Sequence, residues 1–276
     1  MNKLLVSVNN LDIYEKLAKV GVTTFLFPLA NFCVGFRNTF RLDELDDKES
    51  DNYILVNRML DNNAIEELRA LFSKLPKSIK GIVFEDVGVL NMAKSLNLEQ
   101  ELILFQSHFG ASYANVNYWL NYADSVFLSN EITKGEIEEI VNEAKGSVCI
   151  QVFGLNPILY SRRLLISNYN KYFNETLGKF TSLEEAISKR SFLMFENDYG
   201  TMMFNNSFYN ALELLELDNI RYFYVNSSNI SDDKLLKLVE MIKNKSINVE
   251  ALELDVDLGF LYQETIYKLK ERDKNE

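Results

Sequence analysis

The amino-acid sequence predicts an α/β fold, a (β/α)8 TIM-like barrel with an insertion after strand seven and a C-terminal helix. The first observation is that short runs of β-branched or aromatic residues alternate with amphipathic stretches, and eight such units can be counted. The second is the length, since 276 residues slightly exceed the roughly 250 that are typical of such barrels. The third is that no glycine-rich nucleotide-binding turn follows any strand, which disfavours the main alternative, an open doubly wound sheet.

Each predicted strand is a short apolar run that polar residues follow. In chain order, the strands are expected at residues 4–8, 23–27, 53–57, 81–84, 102–105, 125–128, 148–152 and 221–225. Apolar residues spaced three or four apart predict the helices. These are expected at residues 12–20, 63–74, 88–96, 111–122, 134–144, 207–217 and 231–243. Thr133, with Glu136 three residues later, has the pattern of a helix N-cap.

The whole chain, residues 1–276, is expected to form a single barrel domain. A stretch rich in Asn, Tyr and Phe interrupts the alternation at about residues 165–206, and we interpret it as an insertion with a hairpin around residues 192–204. Residues 255–276 are interpreted as a helical tail that ends in a solvated charged run.

The composition limits the classes of protein to which the chain can belong. A formal net charge of −11 and a pI of about 4.8 argue against broad nucleic-acid binding, because phosphate contacts need a positive surface. Cys33 and Cys149 lack the spacing of a disulfide framework, a zinc site or an iron–sulfur site. The amino terminus becomes polar too soon for a signal peptide, and no apolar run approaches the roughly 20 residues of a membrane helix. We therefore expect a cytoplasmic protein without membrane contact, and no metal site is predicted.

One segment departs from this acidic balance. Residues 144–174, here called the basic island, contain no Asp or Glu but carry Lys145, Arg162, Arg163 and Lys171. The basic island includes predicted strand seven and the residues after it, where barrels of this class often bind phosphate. Guanidinium groups hold such anions, and carboxylates, through two parallel hydrogen bonds. The sequence therefore predicts an anionic ligand or partner gripped by Arg162 and Arg163.

Candidate catalytic residues follow three predicted strands at their carboxyl ends, where barrel enzymes place their functional groups. Glu85 and Asp86 follow strand four, His108 follows strand five and Glu131 follows strand six. The carboxylates are candidates for an acid/base pair or a divalent-cation site, with helix capping and solvation as the alternative. His108, the single histidine, suits proton transfer near neutral pH, with an exposed loop position as the alternative. No Ser-His-Asp or Cys-His assembly is predicted.

The long loop after strand two is too apolar to be a free linker. It contains Arg37 and Arg41 between several aromatic residues, at residues 32–41. We expect this loop to fold over the barrel mouth, where Arg37 would join Arg162 in holding an anion. A surface salt bridge is the alternative for Arg37.

Six short motifs in a fixed order resemble a known family. They are Gly35-Phe-Arg37 with Phe40, Asn57 after strand three, Val-Phe-Glu-Asp-Val-Gly-Val-Leu at 83–90, Ser-Asn-Glu-Ile-Thr at 129–133, Gln-Val-Phe-Gly at 151–154 leading to Ser-Arg-Arg-Leu-Leu-Ile-Ser-Asn-Tyr at 161–169, and Phe-Glu-Asn-Asp-Tyr-Gly-Thr at 195–201. Together they resemble the collagenase-like peptidases of unknown catalytic type, peptidase family U32. The resemblance covers most of the chain and is nearest to short, single-barrel bacterial members related to transfer RNA uridine-hydroxylation proteins.

The resemblance implies a barrel fold and a divided function. Some members of the family are described as proteases, whereas others act in RNA modification, including prephenate-dependent hydroxylation of the wobble uridine of transfer RNA. Many relatives carry His-Gly followed by cysteines that ligate an iron–sulfur cluster. The corresponding positions here are Phe153-Gly154, Pro157 and Leu164, so no iron–sulfur cluster or other cofactor is expected. A longer family member commonly accompanies the short ones, which implies a heteromeric partner.

With these motifs, the predicted ligand-binding residues are Arg37, Asn57, Ser161, Arg162 and Arg163. The first functional hypothesis is RNA modification of the uridine-hydroxylation type. In this hypothesis the arginines hold either a small dicarboxylate such as prephenate or a phosphate of transfer RNA, which would contact the protein through the basic island. The second is a peptidase, which needs a nucleophile or a metal-activated water. The third is a catalytically silent barrel that serves as a scaffold for the longer family member.

Overall fold

Eight parallel strands close into a barrel in the computed structural model, which describes residues 3–45, 50–106 and 108–263. The barrel strands are β1 Lys3–Ser7, β2 Thr24–Pro28, β3 Asp51–Val56, β4 Ile79–Phe84, β5 Glu101–Leu104, β6 Ser125–Phe127, β7 Ser147–Gly154 and β13 Ile220–Val225. They pair in chain order, and β13 pairs with both β1 and β7, which closes the ring. The predicted (β/α)8 barrel is therefore confirmed.

Helices lie outside the ring and connect most of the strands. They are α1 Leu11–Lys19, α2 Asn62–Phe72, α3 Val87–Ser95, α4 Tyr113–Trp119, α5 Lys134–Glu143, α6 Leu165–Phe173 and α7 Asp232–Lys243. Short polar side chains cap the first turns, as when the Thr133 hydroxyl accepts a hydrogen bond from the Glu136 amide and the Glu136 carboxylate accepts one from the Thr133 amide. After β2, residues 29–45 form a loop that ends with a short 3-10 turn, Leu42–Glu44.

The alternation of side chains along the strands builds two apolar cores. In β1, Leu4 and Val6 face outward and pack in the layer between strands and helices, whereas Leu5 faces into the barrel. The interior cluster also contains both cysteines, Cys33 and Cys149, which are buried as small apolar residues. The barrel is thus filled by side chains and is not a pore.

A polar network closes the interior at the amino ends of the strands. The Tyr53 hydroxyl donates to Glu101 at 2.6 Å and lies 2.7 Å from the Tyr222 hydroxyl. Arg221 donates two hydrogen bonds to the same Glu101 carboxylate, at 3.2 and 3.0 Å. This end of the barrel is therefore tied together by a satisfied, partly buried network.

A second sheet of four antiparallel strands lies between β7 and β13 in the chain. Its strands are β8 Pro157–Ser161, β9 Phe180–Glu184, β10 Ser191–Asn197 and β11 Gly200–Asn205, arranged in the order β8-β11-β10-β9. This sheet starts at β8, earlier than the insertion expected at about residues 165–206, so the insertion comprises residues 157–205. The hairpin expected around residues 192–204 is β10 and β11, and Gly200 has the φ of 140° that its tight turn requires. Helix α6 joins β8 to β9.

Two expectations from the sequence are wrong. The helix expected at residues 207–217 is a short strand, β12 Phe208–Asn210, followed by a 3-10 helix, Leu212–Glu216. Pairing of β12 with the end of β7 satisfies backbone groups and buries the apolar residues that had suggested a helix. Residues 255–263 form no helix and contain β14 Val256–Asp257, which pairs with β12. The rest of the expected helical tail, residues 264–276, lies outside the described residues.

Candidate functional site

The loop after β2 forms a plug over the carboxyl end of the barrel, as expected. Cys33 and Phe36 pack into the interior cluster from above. Asn57, directly after β3, accepts a hydrogen bond from the Val34 amide at 2.8 Å and donates one to the Val34 carbonyl at 3.0 Å. Ser228, beyond β13, donates to the Gly35 carbonyl at 2.7 Å. Asn57, a predicted ligand-binding residue, therefore anchors the plug.

A cleft of about 280 Å³ opens beside the plug, above the ends of β3, β4 and β5. Four of the predicted site residues line this cleft, namely Asn57, Glu85, Asp86 and His108. Arg58 and Tyr160 also form part of its walls. One wall comes from β8, so the insertion and the barrel build the cleft jointly.

Glu85 is the most chemically distinctive residue of the cleft. It keeps part of its surface in the cleft, yet protein atoms surround it so closely that desolvation raises its pKa to about 8. Among the described residues, no donor or cation forms a hydrogen bond or an ion pair with its carboxylate, although Gln106 donates to its backbone carbonyl at 3.0 Å. A carboxyl group whose pKa lies near neutrality can both accept and donate a proton, so Glu85 suits general acid/base chemistry.

Asp86 has a structural role in this arrangement. One carboxylate oxygen accepts from the Gly88 amide at 2.8 Å and caps α3, and the other accepts from the Leu60 amide at 3.0 Å. Both oxygens are therefore occupied by backbone donors. Helix capping, the alternative left open for Asp86, is what the structure shows.

His108 and Glu131 form a pair at the rim of the cleft. Nδ1 of His108 lies 3.3 Å from Oε1 of Glu131, and both side chains are about half exposed. The loops after β5 and β6 therefore bring these two predicted residues together. An exposed pair of this kind adds little stability but leaves the imidazole accessible to a ligand.

The predicted arginines do not assemble into one anion site. Arg162 forms an ion pair with Asp61 at 2.8 Å, and the Ser161 hydroxyl accepts from the Arg163 amide at 3.2 Å. Arg37 donates to the Asn229 side chain at 3.2 Å and stacks 4.2 Å above the Phe180 ring. It lines a separate cavity of about 330 Å³ between the ends of β1 and β13. The expectation that Arg37 joins Arg162 is wrong, because the plug carries Arg37 towards β13 while Arg162 follows β8 towards α2.

Arg58 is the cation of the cleft that sequence reasoning missed. Its guanidinium lies 4.0 Å from the centre of the Tyr199 ring and donates to the Asn31 carbonyl at 2.8 Å. Burial raises the pKa of Tyr160, and the charges of Arg58 and Arg162 act on the same hydroxyl in the opposite sense. Both arginines therefore lie near Tyr160. The position of Arg58 directly after a strand end was the available signal.

The described part of the chain offers neither a metal centre nor an activated thiol. No cluster of three or more His, Cys, Asp or Glu residues with the geometry of a metal site occurs there. Burial raises the pKa of both Cys33 and Cys149, so neither thiol is poised to react. No helix among residues 3–45, 50–106 and 108–263 has the length and apolarity to cross a membrane.

Comparison with known proteins identifies the family. The model of peptidase family U32 matches residues 41–182. The chain belongs to peptidase family U32. The tRNA hydroxylation protein P2 of Bacillus subtilis (strain 168) is 25% identical to this U32 chain. The alignment is 312 residues long and covers 96% of the chain and 99% of that protein. The family resemblance inferred from the sequence motifs is confirmed.

Solved structures of other proteins share the general shape more weakly. The C-terminal domain of a putative chitinase from Desulfitobacterium hafniense DCB-2 has a TM-score of 0.45 and 10% identity, over 89% of this U32 chain and 99% of that one. A chitinase from Chromobacterium violaceum ATCC 12472 has a TM-score of 0.43 and 10% identity, over 89% and 98%. These scores are too low to bear on function.

Proposed function

We propose that this U32 chain acts in RNA modification, as a component of prephenate-dependent 5-hydroxylation of transfer RNA uridine. The observation that carries the proposal is similarity from end to end, over 96% of the chain and 99% of the relative, to a protein named tRNA hydroxylation protein P2. The match covers nearly the whole of both sequences, so the proposal does not rest on a shared fragment.

The cleft has the charges that a small dicarboxylate such as prephenate requires. Arg58 lines it and Arg162 lies close to its Tyr160 wall. A guanidinium group binds a carboxylate through two parallel hydrogen bonds. The ion pair between Arg162 and Asp61 is exposed, so a ligand carboxylate can replace Asp61 at small cost. The same groups would accept an RNA phosphate.

Glu85 supplies proton transfer in this proposal. Replacement of the C5 hydrogen of uridine by a hydroxyl group is a two-electron oxidation, so a co-substrate that donates the oxygen atom must act as the oxidant. The proton that leaves C5 in this exchange needs a base in the cleft to accept it. Glu85 is the only acidic side chain of the cleft whose carboxylate is not already engaged by the described residues, since Asp86 caps α3. His108, on the rim with Glu131, would exchange protons with solvent.

The test is the nucleoside content of transfer RNA. Deletion of the gene should remove 5-hydroxyuridine derivatives, as measured by mass spectrometry, and the wild-type gene should restore them. Glu85→Gln should fail to restore them, whereas Glu139→Gln, an exposed residue of α5, should restore them fully. An unchanged nucleoside profile in a strain that also lacks family paralogues would contradict the proposal.

A peptidase is the second candidate, and Glu85 with the His108–Glu131 pair is the observation that favours it. These groups could activate a water molecule against an amide. Purified protein should then cleave casein or gelatin, and Glu85→Gln should abolish cleavage that Glu139→Gln leaves intact. Cleavage that persists in the Glu85 and His108 variants would remove this candidate site from consideration.

We also propose a heteromer with a longer family paralogue, in which the short chain is either an active subunit or a scaffold. The acidic net charge of −11 supports a partner, because a more basic subunit would help hold RNA. Copurification from cells at natural expression levels tests this point. Isolation of the chain alone, with restored hydroxylation from the purified protein, would exclude the scaffold role.

A further inference from the structure

Helix α6 presents three aromatic side chains to solvent. Tyr169, Tyr172 and Phe173 are 46%, 82% and 57% exposed in the part of the chain that the structure describes. The Phe173 ring contacts both tyrosines, with ring centres 4.7 Å apart in each pair. A cluster of exposed rings of this kind marks an interaction surface. We call these three residues the α6 aromatic face.

The charges around the α6 aromatic face identify the kind of partner. The helix lies within the basic island, which has no acidic residue from 144 to 174. Lys171 is exposed on the same helix, and Arg163 is exposed just before it. In a protein of net charge −11, this combination of exposed rings and cations is complementary to a flexible polyanion that has flat apolar groups, although the exposed carboxylate of Glu175 follows the basic island. A single strand of nucleic acid has that chemistry.

The α6 aromatic face is continuous with the cleft through the chain itself. Leu159 and Tyr160 of β8 form a wall of the cleft, and the next residues run through Arg162 and Arg163 into α6. An RNA strand lying on α6 would therefore lead to the cleft along the basic island.

The helix that carries the rings is held in place by a buried carboxylate. Glu196 of β10 is 2% exposed and accepts from the Ile166 amide at 2.7 Å and from the Ser167 amide and hydroxyl at 3.2 and 2.5 Å. Lys179 completes the arrangement at 2.8 Å. The rings thus stand on a fixed helix, which lowers the entropy that binding must overcome.

We propose that the α6 aromatic face binds unpaired nucleotides of RNA, with bases stacked on Tyr172, Phe173 and Tyr169 and phosphates near Lys171 and Arg163. This inference rests on the proposed function for the choice of RNA over DNA. Stacking tolerates any base, because every base has a flat face, so this surface would hold a loop without reading its sequence. Selection of the uridine would belong to the cleft.

The test is RNA binding by the full chain, measured by fluorescence anisotropy. The probes are a 17-nucleotide hairpin with a seven-nucleotide loop and a blunt 17-base-pair RNA duplex. We expect the wild type to prefer the hairpin. The double variant Tyr172→Ala, Phe173→Ala should weaken hairpin binding about tenfold or more and leave duplex binding unchanged, because a stacked base is worth ~1–3 kcal/mol and ~1.4 kcal/mol is tenfold.

Matched variants separate stacking from general surface effects. Tyr172→Phe, which keeps the ring, should retain the affinity, and Tyr172→Leu with Phe173→Leu should lose it although the surface stays apolar. Tyr118→Ala removes a comparably exposed ring from α4 and should have no effect. Equal hairpin affinity in the wild type and the leucine variant, or no hairpin binding by the wild type, would overturn the inference.

Two further outcomes separate this inference from the proposed function. If the double alanine variant keeps its hairpin affinity but loses the longer paralogue in copurification, the face binds protein and the inference is wrong, whatever the nucleoside assay shows. If the variant loses hairpin affinity but the wild-type gene fails to restore 5-hydroxyuridine, the RNA surface stands and the proposed function fails.

Discussion

At the scale of single residues, Glu85 and Asp86 differ in where their carboxylate oxygens point. Both carboxylate oxygens of Asp86 accept hydrogen bonds from backbone amides. The carboxylate of Glu85 faces the cleft and has no hydrogen-bond or ion-pair partner among the described residues. Sequence reasoning selected both, because each follows a strand end. It could not separate them, since the difference lies in the path of the loop before α2 and in the desolvation of the cleft.

The raised pKa of Glu85 predicts a stability cost that grows with pH. The folded protein holds this proton up to about pH 8, whereas the unfolded chain releases it near pH 4.5. The melting temperature of the wild type should therefore fall relative to that of Glu85→Gln between pH 4.5 and pH 8, and the difference should be constant above that range. Thermal unfolding at pH 5 and pH 8 measures the effect, with Glu139→Gln as control. A difference that does not change with pH would contradict the assignment.

The same protonation predicts how activity depends on pH. If Glu85 acts as the base, hydroxylation should rise as the pH passes through about 8, because only the ionised form accepts a proton. Rates of nucleoside formation in a reconstituted reaction, measured from pH 6 to pH 9, give the profile. A rate that is flat across this range would show that another group, such as His108, moves the proton.

At the scale of elements, the side-chain amide of Asn57 is one of the anchors of the plug. Asn57→Ala removes two buried hydrogen bonds to Val34 and leaves both backbone groups without their partner. We expect a loss of about 2 kcal/mol in the free energy of unfolding. Asn121→Ala is the matched control, because its exposed side-chain amide also makes two hydrogen bonds to the backbone, both of them as donor to carbonyls. Urea denaturation that shows equal losses in the two variants would refute this role.

Helix α6 depends on Glu196 in a similar way. Burial alone would raise the pKa of Glu196, but hydrogen bonds from Lys179, Ser167 and Thr201 lower it to about 2. Its contribution to stability is therefore present above about pH 4.5 and is lost as the pH falls towards 2. Glu196→Ala should cost about 3 kcal/mol at pH 7, with a smaller cost at pH 3, in denaturant titrations. Glu184→Ala, an exposed carboxylate of β9, should show neither effect.

Elements with local signals could be predicted, and those defined by distant pairing could not. The eight strands follow from short apolar runs, and their order follows from the chain. The error at residues 207–217 arose because Tyr209 and Asn210 pair with β7, which no local pattern reveals. Glu196 falls within the hairpin expected around residues 192–204, and its role is not predictable locally because its partners in α6 lie some thirty residues earlier.

At the scale of the whole molecule, the barrel has a structural end and a candidate functional end. Tyr53→Phe removes hydrogen bonds to Glu101 and Tyr222 at the amino ends of the strands and should cost about 1–2 kcal/mol of stability. RNA binding and transfer RNA hydroxylation should be unchanged at temperatures where the variant stays folded. Tyr113→Phe, an exposed tyrosine, is the control for stability. A loss of RNA affinity in Tyr53→Phe would show that the two ends are coupled.

The grouping of the arginines shows why a site is harder to predict than a fold. Arg37 and Arg162 both follow strand ends, and the fold places both on the same side of the barrel. Their side chains nevertheless meet different partners, Asn229 and Asp61, because the plug and the insertion leave the barrel in different directions.

The two cysteines are natural probes of local unfolding in the barrel. Cys33 belongs to the plug and Cys149 to β7, which pairs with β6 and β13 in the closed ring, and both are fully enclosed. A thiol reagent reaches such a side chain only when the surrounding structure opens. The modification rate of Cys33 would therefore report how often the plug leaves the barrel. The modification rate of Cys149 would report how often β7 separates from its neighbouring strands. With no cysteine elsewhere in the sequence, the native protein distinguishes these two events without any engineered label.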